Sequence, residues 1–162
     1  MRFTFYIGLP GSGKTSLVRG ILAEFRKVEE DEMVVDGPVK YHRFNKQKTL
    51  VLGIYDDSTF AGCDRLSKSC GPQFRQWLVD NEEKYKDWGV VLEGERFMND
   101  KTLPSLFQQE SMNLVCLTVS EEELERRRAS RNNTQNESWL RGMKTRVANV
   151  CKNYPHSIEV IG

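Results

Sequence analysis

The sequence carries little that would staple a fold from outside its own core. Its four cysteines, Cys63, Cys70, Cys116 and Cys151, show neither a C-x-x-C pair nor zinc-ligand spacing, and only two histidines, His42 and His156, are present to complete such a set. A disulfide framework and a structural zinc are thereby excluded, and the cysteines read as reduced thiols, with Cys116 in a core strand. Long apolar runs are missing as well: none approaches the roughly 20 residues that span a bilayer. The N-terminus has no charged region followed by an apolar segment of the signal-peptide kind. These absences predict a soluble, cytoplasmic protein with no membrane partner. Excess charge is also lacking. With 24 Lys plus Arg against 23 Asp plus Glu, the surface offers no general attraction to nucleic acid, which disfavours a DNA-binding module and requires any polyanion to be held by a local patch. No internal repeat or low-complexity stretch is visible. The 162 residues predict one domain, 1–162, large enough to bury a core without staples.

What the chain does have is concentrated near its amino end, in Phe3 to Leu17, FTFYIGLPGSGKTSL. An apolar run of strand character meets Gly8-Leu9-Pro10-Gly11-Ser12-Gly13-Lys14-Thr15, which fits G-x-x-x-x-G-K-[ST] at every fixed position. Such a loop surrounds a polyphosphate with successive backbone N–H groups, and only glycines leave the approach open; Gly8, Gly11 and Gly13 supply them, with Pro10 and Ser12 between and Ser16 in the following turn. Lys14 is expected beside the β- and γ-phosphates and the Thr15 hydroxyl on Mg2+. The helix that begins here points its positive dipole end at the same anion.

Apolar residues at helical spacing, Leu17, Val18, Ile21, Leu22 and Phe25, predict a first helix to about Lys27. From Val34 to Tyr55 the pattern turns to short strands, with turn signals at Asp36-Gly37-Pro38 and Asn45-Lys46-Gln47, so that Val39–Phe44 and Thr49–Tyr55 read as a hairpin. A long loop follows, Asp56 to Gly71, at the place for an acceptor-binding segment. A helix from Pro72 to about Trp88 carries Phe74, Trp77, Leu78 and Tyr85 as core aromatics and aliphatics. Val90-Val91-Leu92 reads as a central strand ending in Glu93-Gly94-Glu95-Arg96. A helix over Leu103–Glu110, a strand over Asn113–Val119 and a capping box of Ser120 and Glu123 come next. The capped helix runs into Arg126-Arg127-Arg128 and Arg131. Trp139 to Val150 predicts the last helix, and Ile158–Ile161 the last strand. Strands alternating with helices predict an α/β fold with a mostly parallel sheet covered on both faces.

Size and motif narrow the chemistry. No N-K-x-D segment for guanine is present, which weighs against a GTPase, and one domain leaves no second body for a motor. In open α/β sheets ligands bind beyond the carboxyl ends of strands, so Asp56 and Asp57, and Glu93, Glu95 and Arg96, are expected to converge on the γ-phosphate side of the loop. Asp56, Asp57 or Glu95 could take the acceptor's proton, and Glu93 could hold Mg2+ through water. Arg127 and Arg131, four apart on one helix face, could screen a single anion, although Arg126–Arg128 could equally bridge to Glu122, Glu123 and Glu125.

These residues resemble the small P-loop kinases of nucleosides and nucleotides: GLPGSGKT as phosphate loop, the Glu95-Arg96 pair after the third core strand, and RRRASR as an arginine-rich lid near 124–136. The resemblance implies ATP and Mg2+ as cofactors, a P-loop NTPase-type three-layer sandwich with a five-stranded sheet in the order 2-3-1-4-5, and an acceptor placed across the loop from ATP. Glu93 stands where such kinases more usually carry Asp, and no separate monophosphate-binding insertion is visible. More narrowly, VLGIYDD, FAGCDRLS and QNESWLRGMKTRV resemble segments of phage-type kinases that phosphorylate 5-hydroxymethyluracil within DNA. That implies a nucleoside, nucleotide or modified-DNA acceptor, contacted by Asp64, Arg65 and Arg96, with Arg141, Lys144 and Arg146 available to DNA phosphates and the host cytoplasm as location. The alternative from another class is a nucleotide-binding regulator or slow ATPase that signals through the 56–71 loop.

Overall fold

Alternation of large apolar residues makes Phe3, Phe5 and Ile7 one face of a strand, β1 (Arg2–Gly8), where each is at most 1% exposed. The computed structural model describes residues 1–58, 60–130 and 136–161. After β1 come α1 (Lys14–Arg26), β2 (Glu32–Asp36), β3 (Val39–Phe44), β4 (Thr49–Leu52), α2 (Gly71–Asp80) and β5 (Gly89–Glu93). The chain continues through α3 (Leu103–Phe107), β6 (Ser111–Thr118), α4 (Glu121–Ser130), α5 (Glu137–Asn153) and β7 (Ser157–Val160). Arg131 and the rest of 131–135, expected to form the tip of a lid, lie outside the described residues.

The strands form a single sheet in the order β2-β3-β4-β5-β1-β6-β7. It has seven strands where five were expected, and it is mixed, with four of its six strand pairs parallel. The β4–β5, β5–β1, β1–β6 and β6–β7 pairs are parallel, while β2–β3 and β3–β4 are antiparallel. The added edge follows from turn length. Gly37-Pro38 and the four residues 45–48 are too short for a crossover, so each strand folds back on its predecessor.

Two apolar clusters cover the two faces, consistent with three layers. On one face Val18 and Leu22 of α1 pack with Phe44, Val51 and Tyr55. On the other, Phe3, Phe5, Leu92 and Leu114 meet α2, α3 and α5 through Trp77, Leu106 and Val147. The aromatics expected in the core are there: Phe74 stacks on Phe97 at 4.2 Å between centroids, and Trp77 lies edge-on to Tyr41 at 5.4 Å. Among the described residues no helix is long and apolar enough to cross a membrane.

Several boundaries differ from the sequence reading. β4 ends at Leu52 and not at Tyr55, because Gly53 turns the chain with φ +101. α2 ends at Asp80 and α3 at Phe107, short of Trp88 and Glu110. Ser120 Oγ does accept the Glu123 N–H at 3.2 Å, but the Glu123 carboxylate turns to Arg126 and Arg127 and does not complete a capping box. Asn136 caps α5 by accepting the Trp139 N–H at 2.7 Å.

Gly20 and Gly142 sit inside α1 and α5 with nothing within 4 Å of a Cβ built on either. Gly20→Ala and Gly142→Ala are each expected to raise unfolding free energy by about 0.5–1 kcal/mol, since alanine restricts the unfolded chain and meets no clash. Urea denaturation reads this directly, and a loss of stability in both variants would contradict the helix assignment.

Candidate functional site

The loop between β1 and α1 presents unused donors. Gly13 sits at the N-cap of α1 in the left-handed region, φ +98, and no side chain caps the helix. Among the described residues, the N–H groups of Gly11, Gly13, Lys14, Thr15 and Ser16 meet no backbone acceptor, whereas Ser12 N–H bonds to the Leu9 carbonyl at 3.0 Å. A row of unpaired N–H groups at a helix start is a ready anion seat. Lys14 folds back over it, donating through Nζ to the carbonyls of Gly8 at 2.8 Å and Leu9 at 3.1 Å. Burial lowers the Lys14 pKa, against the opposing pull of Glu93, Asp64 and Glu95.

Glu93 ends β5 and is 3% exposed. Its Oε1 accepts the Thr15 hydroxyl at 3.0 Å and the Tyr55 hydroxyl at 2.9 Å. Burial raises its pKa above the ordinary carboxylate range, and the Tyr55 bond, Lys14 and Thr15 offset part of that rise. Burial and the nearby Glu93 charge also raise Tyr55. The donor set suits Mg2+, which takes one or two carboxylates and otherwise keeps waters and phosphate oxygens. Among the described residues no group of three or more His, Cys, Asp and Glu side chains is gathered for a metal.

Asp64 is brought to the same place from the 56–71 loop. Its Oδ1 accepts the N–H groups of Glu95 and Arg96, both at 3.0 Å, and its carbonyl accepts Arg96 Nη2 at 2.6 Å. Gly94 makes room, since a Cβ there would lie 2.8 Å from Asp64 Oδ2. Asp64 therefore clamps the segment that carries Glu95. Burial raises the Glu95 pKa and Asp64 adds to the rise; its nearest cation partner is Arg146, at 3.8 Å.

Asp56 and Asp57 lie farther along the loop. Asp56 accepts from Arg65 and, at 3.0 Å, from the Ser58 N–H, and Arg65 in particular holds its carboxyl below the ordinary range. Arg19 of α1 donates to the carbonyls of Asp56 and Ser58, and Asp57 is exposed. The carboxylates that act most on Lys14 are Glu93, Asp64 and Glu95. Arg65 is committed to Asp56.

From α4, Arg127 reaches the loop, donating through Nη1 to the Gly11 carbonyl at 3.1 Å and through Nε to Glu123 at 2.7 Å. Arg128 lies beside it, with Nε and Nη2 buried and without an acceptor among the described residues. Both the lid-helix bridges and an arginine over the loop thus occur together. Lys144 pairs with Glu121 at 2.6 Å and Arg146 donates to the Met98 carbonyl at 3.0 Å. Arg141 is exposed.

Sequence reasoning missed Tyr55, the clamp role of Asp64 and the buried donors of Arg128. Tyr55 had one signal, an aromatic closing TLVLGIY just before the polar loop. Asp64 and Arg128 had none beyond position.

Glu93→Gln keeps acceptors for Thr15 and Tyr55 while removing the buried charge. A folded pKa raised above the unfolded value means stability present at low pH and lost as pH rises through the folded pKa. In metal-free buffer the variant is therefore expected to gain on the parent as pH rises above the ordinary carboxylate range. Comparing the two proteins cancels the similar slope from Glu95 and the opposite slope from His42, whose pKa burial lowers. A difference in Tm that is flat from pH 4 to 8 would contradict the burial argument.

No protein-family model matches the chain, and no curated protein matches its sequence.

Proposed function

We propose that this chain is a P-loop kinase that transfers the terminal phosphoryl group of ATP, with Mg2+, to a hydroxyl of a nucleoside, a nucleotide or a modified base, 5-hydroxymethyluracil in DNA included, in the cytoplasm of its cell or host. The observation that carries the reading is the set of N–H groups of Gly11, Gly13, Lys14, Thr15 and Ser16 without a backbone acceptor among the described residues, beside the part-buried hydrogen bond from Thr15 to Glu93. Such donors suit dense negative charge, and a carboxylate beside a hydroxyl suits the hard cation that accompanies it.

The chain's own groups divide the work. Backbone N–H groups of the loop hold the phosphates, and Lys14 exchanges the carbonyls of Gly8 and Leu9 for phosphate oxygens. Thr15 and Glu93 would hold Mg2+, which neutralises phosphate charge when bound. Arg127 and Arg128 screen the transferring group from α4. Of the three acids open as base, Glu95 is favoured over Asp56 and Asp57. Its raised pKa brings it nearer to neutrality, and Asp64 fixes its backbone. Glu95 takes the proton from the acceptor hydroxyl as that oxygen bonds to phosphorus and the bond to the ADP oxygen breaks. Arg96, tied to the Asp64 carbonyl, borders the acceptor, and Asp56 with Arg65 keeps the loop in shape.

Labelled ATP offered with nucleosides, nucleotides, and plain or hydroxymethyluracil-containing DNA tests the reading. Label must appear in an acceptor, and label found only in ATP and inorganic phosphate counts against it. Glu95→Gln is expected to lower transfer about 10²–10³-fold while ATP still binds. A second reading, a regulator or slow ATPase, draws on the way Gly62 and Asp64 join the 56–71 loop to Glu93 and Glu95. Under that reading Glu95→Gln would change affinity for a partner and leave no transfer to lose.

A further inference from the structure

Behind the site lies a buried histidine that the chemistry above does not use. His42 sits on β3, on the same face as Phe44, and is 6% exposed. Its ring is held at both nitrogens. Nε2 accepts the Tyr55 backbone N–H at 3.0 Å, and Nδ1 faces Asp31 Oδ2 at 2.7 Å. A backbone N–H can only donate, so Nε2 carries no proton and Nδ1 donates its own to Asp31. A second ring proton would set two donors against each other. Burial lowers the His42 pKa, against the pull of Asp31. Asp31 is fixed in turn by Arg26, which donates from the last turn of α1 through Nε at 2.9 Å and Nη2 at 3.3 Å.

What this pair holds is Tyr55. The chain has already left β4 at Gly53, and among the described residues the Tyr55 N–H meets no backbone acceptor, so the His42 ring supplies the partner that a buried N–H requires. The far end of the same residue enters the site. Tyr55 is 5% exposed and donates its hydroxyl to Glu93 Oε1 at 2.9 Å, the oxygen that also accepts from Thr15 at 3.0 Å. Contacts thus run from Arg26 at the end of α1 through Asp31, His42, Tyr55 and Glu93 back to Thr15 at its start.

We propose that Asp31 and His42 are positioning residues for the Mg2+ side of the site: by fixing the Tyr55 backbone they aim its hydroxyl at Glu93 and hold that carboxylate in place for the ion. The proposal rests on the assignment of Thr15 and Glu93 to Mg2+ made above. Groups that orient a metal-binding carboxylate are worth about 10–100-fold in metal affinity.

The test has two arms, both on the full-length protein. In the first, free of nucleotide and metal at neutral pH, nitrogen NMR of the imidazole and carbon NMR of the Glu93 carboxyl are recorded. The parent is expected to show a protonated Nδ1 and a bare Nε2, and the opposite tautomer would overturn the proposal. His42→Leu, which leaves the Tyr55 N–H unpaired, should move the Glu93 signal in the direction that Tyr55→Phe moves it. His42→Gln offers an amide oxygen to that N–H and should bring the signal back toward its parental position. Tyr55→Phe removes only a hydroxyl and carries this arm if His42→Leu does not fold; a Glu93 signal unmoved in it would also refute the link.

In the second arm ATP is titrated with and without Mg2+. The gain in affinity that Mg2+ brings should fall about tenfold in Tyr55→Phe and in His42→Leu, recover most of that in His42→Gln, and fall little further in the double variant. Additive losses in the double variant would show that His42 acts by another route and would sink the proposal. A parent that shows the gain and a His42→Leu that keeps it in full would defeat this proposal alone. A parent with no gain from Mg2+ would remove the metal assignment, and this proposal with it.

Discussion

Lys14→Ala is expected to lower phosphoryl transfer by roughly 10²–10³-fold while the protein stays folded. The lysine holds its ammonium against the loop, and removing a single preorganised cation or donor from a transferring group costs on that scale. Its structural role is slight by comparison. Nζ satisfies two loop carbonyls, Gly8 and Leu9, which water can reach once the side chain is gone. Relief of burying the charge works the other way, so stability should move by no more than about 1–2 kcal/mol. Circular dichroism and urea denaturation establish the fold, and single-turnover transfer measures the loss. A variant that transferred at the parental rate would remove the loop from the mechanism.

Gly62→Ala carries the second large effect, and here stability and activity should fall together. Gly62 has φ +92 and ψ −159, a region that only glycine occupies without strain. It also stands where a Cβ would lie 2.5 Å from Glu93 Oε1, the oxygen that binds both Thr15 and Tyr55. The backbone term alone is about 1–3 kcal/mol. The clash adds to it by pushing the carboxylate off Thr15, and a displacement near 1 Å at the acid proposed to face the metal costs about 10²-fold in rate. Gly37→Ala is the control: it also has positive φ, +61, but nothing within 4 Å. That variant should lose about 1 kcal/mol and keep its activity. If the two variants behaved alike, the contact between Gly62 and Glu93 would carry no weight.

The contrast between these glycines marks what the sequence could reveal. The anion seat was legible because its chemistry is written in consecutive residues: a strand, three glycines, a lysine, a threonine and an amphipathic helix. Thr15 and Glu93 could both be assigned to the Mg2+ side in advance because the loop after β1 and the end of β5 face the same edge of a parallel sheet. Tyr55, 38 residues from Glu93, and Asp64, 31 from Glu95, could not. Their roles come from the fold-back of the loop, where Ile54 and Gly62 form an isolated bridge, and no local pattern encodes that. Tyr85 misled for a related reason. Its spacing extends α2, yet the chain leaves the helix at Asp80 and returns Tyr85 to the core through a turn, 6.1 Å from Trp77. Glu123 fits a capping box in sequence, but two arginines one turn on bind its carboxylate instead.

The proposed chemistry requires the N-terminal loop to hold phosphate and metal together. Isothermal titration of the protein with ATP, ADP and adenosine, each with and without Mg2+, measures that property before any acceptor is known. Affinity is expected to fall in the order ATP, ADP, adenosine, to rise for ATP when Mg2+ is added, and to lose that Mg2+ dependence in Glu93→Gln. Adenosine binding as tightly as ATP, or ATP binding indifferent to both Mg2+ and Glu93, would contradict it.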